Sequence, residues 1–477
     1  MGFHDRSVIF KEHFDKVASR RKGYRKSRSY YWNDITKCCS YFIQEDNAVL
    51  EIGAGTGELI GELKAKRKVA IDFSEVMVEV GQESYPDVEY HVMRAENIEL
   101  DEQFDVVILS NLIGSVADIQ QVFKELNKVC TPHTRIIVTY YNYLWEPLVR
   151  FAEFVGFKMK TPRQNWLSLN DVNNLLYLAG FDVYRTTKRL LLPLSIPLVS
   201  FLLNRVLAKF PFFRYFCLNM FSFARQSPRE TEDAVSDKYS VSIVVPARNE
   251  SGNIEDAILR LPKFGKWTEL IFIEGNSTDD TWKKVQEVAG KYENQLTIKI
   301  GQQSGKGKGD AVRMGFDMAT GDILMILDAD LTVPPEDLPK FYYALATGKG
   351  EFINGSRLVY TMENQAMRFL NVLGNKFFSV AFSWLLDQKF KDTLCGTKVL
   401  FKSDYERVKV NRHFFGDFDP FGDYDLIFGA HKLNLKITEL PIRYQQRTYG
   451  TTNISRFKHG FLLLRMCMFA ARKIKFR

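Results

Sequence analysis

The sequence, 477 residues long, has few features of a secreted or membrane-spanning chain. Its six cysteines form no Cys-x-x-Cys pair and no regular framework, which favours a reducing, cytoplasmic setting. The first residues, Met1 to Ser7, lack the apolar core of a signal peptide. No segment has the roughly 20 uninterrupted apolar residues that a membrane-spanning helix needs. We therefore expect a cytoplasmic protein.

Acidic residues are also in deficit, because 65 lysines and arginines face 57 aspartates and glutamates, a net charge of +8. This excess favours anionic partners such as nucleotide diphosphates, membranes or nucleic acid. No nucleic-acid recognition module is found, so nucleic acid is not an expected partner. A basic cluster near the N-terminus is typical of a solvated helix face or of contact with an anionic acceptor or membrane headgroup (Arg20, Arg21, Lys22, Arg25, Lys26 and Arg28). The length allows two or three domains.

The strongest catalytic pattern is a pair of acids after an apolar run. Residues 323–327 are unbroken and apolar, as expected of a strand buried on both faces of a parallel sheet. Asp328 and Asp330 follow it. Ligands of open α/β sheets bind at the carboxyl ends of the strands, and two carboxylates there can hold a divalent cation. We therefore predict a Mn²⁺ or Mg²⁺ site at Asp328 and Asp330.

Other strand ends in the second half of the chain also carry polar loops. Apolar runs at 240–246, 269–274 and 297–300 each lead into such a loop, and the proline at 246 is expected to stop the first strand. The pattern predicts an α/β sheet that binds a nucleotide diphosphate sugar. The candidate residues that bind the base, ribose and diphosphate of the donor are Pro246, Arg248, Glu250, Glu274, Asp279, Lys306, Lys308 and Asp328. Asp328 is also one of the two predicted metal ligands.

In this order, the motifs resemble family 2 glycosyltransferases of the GT-A fold, over roughly residues 240–450, and above all the branch that glycosylates dolichyl or polyprenyl phosphate. The resemblance implies one displacement that inverts the anomeric centre. It also implies that Arg357, Arg368 and Arg447 receive the lipid phosphate. Residues 274–276 read Glu-Gly-Asn, where many members have Asp-Asp-Gly.

The acceptor decides whether the reaction needs a base. A polyprenyl phosphate is already anionic, whereas a hydroxyl of a glycan or metabolite needs a general base. Asp392, Asp423 and Asp425 are the candidates for that base. Both acceptors remain open at this point.

The first half of the chain carries a second nucleotide-type pattern. A short apolar strand runs into Gly53, Gly55 and Gly57, and a helix follows. The next strand, residues 68–72, ends in Asp72, a position from which a carboxylate can accept both ribose hydroxyls.

Residues 49–57 and the strands that follow resemble the class I S-adenosylmethionine-dependent methyltransferases, a match over roughly residues 45–226. Further strands are expected at 88–98, a range that includes the turn after the strand, and at 104–111, 135–140, 181–188 and 220–224. The resemblance implies S-adenosylmethionine held by Glu51, Gly53, Gly55, Gly57, Asp72, Glu96 and Ser110. Arg94 stands where many members carry Asp. The alternative is a non-catalytic binding module of the same fold.

The whole chain is thus predicted to be α/β, with a Rossmann-like methyltransferase domain at 1–226, a linker at 227–239 and a GT-A domain at 240–477. Residues 190–203 are uncharged and contain Pro193 and Pro197. They suit an element in the membrane interface, with a lid or core insertion as the alternative. Peripheral contact with the cytoplasmic face of a membrane is therefore expected.

Overall fold

The computed structural model describes two compact units of the chain. It describes residues 7–18, 29–227, 230–357, 369–393, 395–412, 423–442 and 456–476, with Gln445, Arg447 and Tyr449. Unit 1 is Met1–Ser227 and unit 2 is Pro228–Arg477. The basic cluster at 20–28 and Arg368 lie outside the described residues.

Unit 1 is built on a mixed sheet in the order β3-β2-β1-β4-β5-β7-β6 within its described residues. Only β7 runs antiparallel to its neighbours among these strands. The strands are β1 (Ala48–Ile52), β2 (Arg67–Asp72), β3 (Glu89–Val92), β4 (Phe104–Ser110), β5 (Cys130–Tyr141), β6 (Phe181–Arg189) and β7 (Asn219–Gln226). Each strand that the sequence predicts is present.

Helices cover both faces of this sheet, which explains why its central strands are almost wholly apolar and buried. The helices are α1 (residues 7–18), α2 (Ser29–Phe42), α3 (Glu58–Glu62), α4 (Glu75–Ser84), α5 (Ile119–Val129), α6 (Glu146–Phe154), α7 (Leu169–Leu178) and α8 (Pro211–Arg214). Phe201–Val206 forms a π-helical turn between β6 and α8.

Unit 2 has its own mixed sheet, in the order β10-β9-β8-β11-β13-β12-β14 over the residues described. Strand β13 is antiparallel to β11 and β12, while the remaining pairs are parallel. The strands are β8 (Val241–Ala247), β9 (Thr268–Glu274), β10 (Thr297–Gln302), β11 (Ile323–Ile326), β12 (Phe352–Ser356), β13 (Lys398–Phe401) and β14 (Ile437–Pro441).

Helices flank this second sheet, and their apolar side chains complete two buried clusters, one on each face. They are α9 (Glu232–Val235), α10 (Ile254–Leu259), α11 (Thr281–Tyr292), α12 (Lys308–Met318), α13 (Leu338–Ala346), α14 (Phe369–Leu386), α15 (Lys402–Val410), α16 (Asp423–Lys432) and α17 (Arg456–Ile474). Helix α9 lies in the stretch predicted as linker, and its Val235 is buried and accepts a hydrogen bond from the Tyr342 hydroxyl.

One finding corrects a sequence prediction. Strand β8 runs to Ala247, so Pro246 does not stop it as expected. Pro246 lies beyond the last β8–β11 pair, Val244↔Ile326, where the ladder needs no N–H from it. The α/β class with two domains is confirmed. Among the described helices, none is both long and apolar enough to cross a membrane.

Candidate active sites of the two units

The polar loops of unit 2 meet at one edge of its sheet. Strands β8, β9, β10, β11, β12 and β14 are parallel and end at this edge, and the antiparallel β13 begins there. The sequence therefore folds so that the loops after residues 247, 274, 302, 326, 356 and 441 adjoin one another. The segment before Lys398, the first residue of β13, reaches the same edge.

Asp328 faces a lysine at this edge. The Lys308 ammonium, in the first turn of α12, lies 2.5 Å from Asp328 Oδ1. Burial opposes ionisation of Asp328, but Lys308 together with Lys398 and Arg357 holds the pKa of its carboxyl below the ordinary value. The sequence predicts both residues as ligands, and the structure brings them together.

Asp330 faces an arginine instead. Arg447 donates from Nη2 to Asp330 Oδ2 at 2.6 Å and from Nη1 to Glu250 Oε1 at 2.9 Å. Asp330 Oδ1 accepts the N–H and hydroxyl of Thr332, which fixes the turn after β11. Arg447 thus joins two carboxylates that are distant in sequence. Glu250 and Asp330 are about 80 residues apart, and Arg447 lies more than 100 residues beyond either of them.

The carboxyl of Glu250 has a pKa above that of an ordinary glutamate. Burial, together with the charges of Asp330 and Asp279, raises the pKa of its carboxyl to about 7, although Arg447 and Asn253 oppose the rise. Asn253 donates to Glu250 Oε2 at 2.8 Å. The carboxyl is therefore sensitive to any cation or anion that binds beside it.

Other predicted nucleotide ligands shape the loops at this edge. Glu274 accepts hydrogen bonds from Ser277 N and, at 3.0 Å, from Gln302 Nε2. Asp279 accepts from Thr281 N at 3.0 Å. Burial opposes ionisation of both acids, but these hydrogen bonds keep their pKa values below the ordinary range. Pro246 is half-buried, while Arg248 and Lys306 are exposed at the loops after β8 and β10.

Arg357 and Asp392 form a two-bond ion pair. Arg357 donates from Nε to Asp392 Oδ2 at 2.7 Å and from Nη2 to Asp392 Oδ1 at 2.8 Å. Asp392 is fully buried. Glu439 on β14 accepts the N–H of Asp392 at 2.9 Å, so the loop that carries Asp392 is anchored to the sheet.

Asp425, on α16, lies within reach of two arginines. Arg412 Nε approaches its Oδ2 at 2.8 Å and Arg313 Nη1 at 3.8 Å. Asp425 is almost fully buried. The side chain of Asp423 lies outside the described residues.

Asp328 and Asp330 are suitable ligands for a hard divalent cation, since both offer carboxylate oxygens on one turn. In the described part of the chain, no cluster of three or more His, Cys, Asp or Glu side chains is arranged to hold a metal. The present partners of the two carboxylates are the cations of Lys308 and Arg447.

Gly396 and Lys398 are contributors that the sequence reasoning did not single out. A Cβ at Gly396 would overlap Asp328 Oδ2 and Lys308 Nζ, so a glycine here lets the backbone lie against this ion pair. Lys398 is fully buried and its ammonium contacts the carbonyl of Cys395. Both lie within six residues of Asp392, a predicted candidate base, and this proximity in sequence is the signal that could have found them.

Unit 1 places its glycine loop at the carboxyl end of β1. Gly53, Gly55 and Gly57 all have positive φ, between 59° and 71°, which side-chain-bearing residues rarely adopt. A Cβ at Gly57 would also overlap the Tyr90 hydroxyl. The loop leads into α3, as a cofactor-binding turn requires.

The acids of unit 1 organise this loop. Asp72 Oδ2 accepts the N–H of Gly55 at 2.7 Å and Oδ1 that of Ser74 at 3.0 Å. Each carboxylate oxygen can accept a second hydrogen bond, so these contacts are compatible with ribose binding. Glu51 is buried and accepts the N–H of Ile60 in α3 at 3.1 Å, which ties the helix start to β1.

The residues after β3 and β4 complete the edge. Glu96 Oε1 accepts the N–H of Ala117 at 3.1 Å, and Arg94 Nε lies 3.7 Å from Glu96 Oε2. The Ser110 hydroxyl is 3.5 Å from that of Thr139. A pocket next to them is lined by Asn111, Ile113, Gly114, Tyr140, Tyr141, Gln164, Asn165, Trp166 and Leu167.

Comparison with known proteins supports two different transferase domains. Residues 242–408 match the family model "Glycosyl transferase family 2", and residues 50–138 match "Methyltransferase domain". The resemblance that the sequence suggests for each half is therefore confirmed. Both matched models describe transferases.

Individual relatives cover parts of the chain. A dolichol-phosphate mannosyltransferase of Pyrococcus furiosus is 30% identical over 45% of this chain and 59% of its own length. An undecaprenyl-phosphate 4-deoxy-4-formamido-L-arabinose transferase of Pectobacterium carotovorum is 31% identical over 24% of this chain and 36% of its own. The chain thus spans under two thirds of these relatives. A crystal structure of a possible histamine N-methyltransferase from Thermotoga maritima covers 44% of this chain and 97% of its own, with 19% identity and a TM-score of 0.35.

Proposed function

We propose that unit 2 transfers a sugar, with inversion, from a nucleotide sugar to a polyprenyl phosphate, and that unit 1 is an S-adenosylmethionine-dependent methyltransferase. The acceptor lipid would bring the protein to the cytoplasmic face of a membrane. The names of the two glycosyltransferase relatives, which specify dolichol phosphate and undecaprenyl phosphate, support the acceptor class.

One observation carries the proposal for unit 2. The acids after β11 lie between two cations, Lys308 on Asp328 and Arg447 on Asp330. Binding of a diphosphate with its divalent cation exchanges these partners favourably, because the cation takes the carboxylates and the phosphates take the lysine and arginine. Asp328 and Asp330 would hold Mn²⁺ or Mg²⁺, which when bound neutralises charge on the departing diphosphate.

The remaining residues position the two substrates. Glu250 and Arg248 flank the loop after β8 and would contact the base and ribose, while Lys306 would face the diphosphate. Arg357 would bind the acceptor phosphate. Arg447, which the resemblance also suggests for that phosphate, would instead turn to the diphosphate because it lies against Asp330. A phosphate oxygen then attacks the anomeric carbon from the side opposite the diphosphate, the bond to the diphosphate breaks, and the configuration inverts.

The ion pairs favour an acceptor that is already ionised. Asp392 is bound by both Nε and Nη2 of Arg357, and Asp425 lies against Arg412. A carboxylate held by an arginine is a weak base, so neither acid is well placed to deprotonate a sugar hydroxyl. A lipid phosphate needs no such base.

The test is a transfer assay with radiolabelled nucleotide sugars, Mn²⁺ or Mg²⁺, and either polyprenyl phosphate or a free glycan. We expect lipid-linked product, lost on chelation of the metal and in Asp330→Asn. Product on the glycan alone, lost in Asp425→Asn while metal binding persists, would replace the lipid acceptor by a hydroxyl. No product with any donor would refute the reaction.

The proposal for unit 1 rests on the three left-handed glycines and on Asp72 at the end of β2. The cofactor supplies the methyl group, and the protein's part is to hold its ribose and methionine ends. Calorimetry with S-adenosylmethionine tests this directly. Saturable binding that Asp72→Asn weakens supports the assignment, and no binding would leave a non-catalytic module.

A further inference from the structure

Unit 1 exposes an apolar surface that a water-soluble domain would normally bury. Helix α6 has no buried residue. Leu144, Leu148, Phe151 and Val155 follow the spacing of one helical face, and all are exposed, Phe151 by 63%. Phe154 and Phe157 next to them are 81% and 76% exposed. Apolar side chains on this scale mark an interaction site.

A second exposed segment lies between β6 and β7. Within residues 194–216, the exposed side chains include Leu194, Leu198, Phe201, Leu202, Phe212 and Tyr215. Two polar side chains of this segment, Asn204 and Ser200, point the other way. Asn204, which is buried, accepts the N–H groups of Leu191 and Leu192 at 2.7 and 2.9 Å.

Ser200 shows the same inversion. It is buried, donates to the carbonyl of Leu194 at 2.6 Å and accepts the N–H of Ile196 at 2.8 Å. The usual distribution, with polar groups outside and apolar groups inside, is therefore reversed here. Hydrogen bonds hold the backbone in shape while the apolar side chains face outward.

The two exposed segments adjoin each other. Trp145 Nε1 donates to the carbonyl of Phe216 at 2.8 Å, and Asn142 Nδ2 donates to that of Tyr215 at 2.9 Å. Both segments also follow strand ends, those of β5 and β6, at the edge that carries the glycine loop. We call residues 144–157 and 194–216 the apolar face.

The charge around this face is positive. Residues 190–216 contain Arg205, Lys209 and Arg214 and no acid. In α6 the acid Glu146 is paired with Arg150, and Glu153 with Lys158 just beyond the helix. Aromatic and aliphatic side chains bordered by basic residues suit the interface of a bilayer with anionic lipid.

We propose that unit 1 docks on an anionic lipid bilayer through the apolar face. Leu148, Phe151, Phe154 and Leu198 enter the boundary between headgroups and acyl chains, and the basic residues meet the lipid phosphates. This deepens the proposed function, because it names the surface by which the protein reaches the membrane that holds its lipid acceptor.

The test is co-sedimentation of the full chain with vesicles of phosphatidylcholine mixed with phosphatidylglycerol. The variant Leu148→Gln/Phe151→Gln/Phe154→Gln should lower the partition coefficient roughly tenfold or more, since three apolar side chains no longer enter the bilayer. Its unfolding midpoint should stay unchanged because α6 buries no side chain. The matched control is Tyr177→Gln/Leu178→Gln, two exposed residues of α7, which precedes β6 and so approaches the opposite sheet edge.

Equal binding of the triple variant and the wild type would overturn the proposal, as would wild-type binding that is no weaker on pure phosphatidylcholine. A third outcome is that the wild type does not bind vesicles but forms a dimer, and that the triple variant is monomeric. This result would assign the apolar face to a second copy of the chain and overturn the proposal. The vesicles contain neither nucleotide sugar nor polyprenyl phosphate. Vesicle binding can therefore be observed even if the glycosyl transfer assay gives no product. Likewise, glycosyl transfer can be observed even if the protein does not bind these vesicles.

Discussion

Removal of Arg447 should make the acid pair a better metal site and a worse enzyme. The guanidinium lies 2.6 Å from Asp330 Oδ2, and the Asp330 side chain is only 14% exposed. A cation that takes this oxygen must first break a hydrogen bond between two charged groups, which contributes about 1.5–3 kcal/mol. Arg447→Gln should therefore tighten Mn²⁺ binding by about 10- to 100-fold in the absence of nucleotide.

The measurement is a Mn²⁺ titration of the full chain by electron paramagnetic resonance, without and with nucleoside diphosphate. Arg447→Lys, which keeps the charge but not the planar fork, serves as the matched control and should fall between wild type and Arg447→Gln. Glycosyl transfer should be lost in Arg447→Gln despite the tighter metal. Unchanged or weaker Mn²⁺ binding in Arg447→Gln would refute the view that the arginine and the cation share one oxygen.

Three further predictions concern single carboxylates. The folded pKa of Glu250 is raised to about 7, so the stability of the wild type falls as pH rises from about 4.5 through 7. Glu250→Gln lacks this titration, and its melting temperature should therefore rise relative to that of the wild type between pH 5 and 8. A difference in melting temperature that stays constant over this range would contradict the prediction. Asp392→Asn leaves the Arg357 guanidinium beside a neutral amide and should cost about 3–5 kcal/mol in urea unfolding, whereas Asp392 acting only as a base predicts no loss. Asp72→Asn should weaken S-adenosylmethionine binding tenfold or more by calorimetry, with glycosyl transfer unchanged, and equal affinity would exclude ribose binding at this position.

The strands could be predicted because their signals are local. Runs such as residues 323–327 and 104–110 are apolar without interruption, and a strand buried on both faces needs that pattern. The glycines at 53, 55 and 57 likewise announce a turn whose backbone has positive φ. The prediction that Pro246 ends its strand was wrong, because the effect of a proline depends on whether the neighbouring strand needs a hydrogen bond from that position.

The partners of the site residues could not be predicted from the sequence. Asp330, Glu250 and Arg447 are distant in the chain, and only the sheet order brings their side chains within one ion-pair network. The role of Gly396 depends on the same packing, because its missing Cβ matters only where Asp328 and Lys308 approach. The apolar face was foreseen in part, through residues 190–203, while α6 was not. The apolar residues of α6 have the same spacing as those of an ordinary core-facing helix. Only the exposure of these side chains in the structure distinguishes α6 from such a helix.

A crystal structure with Mn²⁺ and a nucleoside diphosphate would show which groups the acid pair binds in the loaded site. We expect one ion between the carboxylates of Asp328 and Asp330 and the pyrophosphate, with Lys308 and Arg447 moved from the acids onto phosphate oxygens. An ion bound elsewhere, or a diphosphate bound while Lys308 and Arg447 keep their present partners, would contradict it.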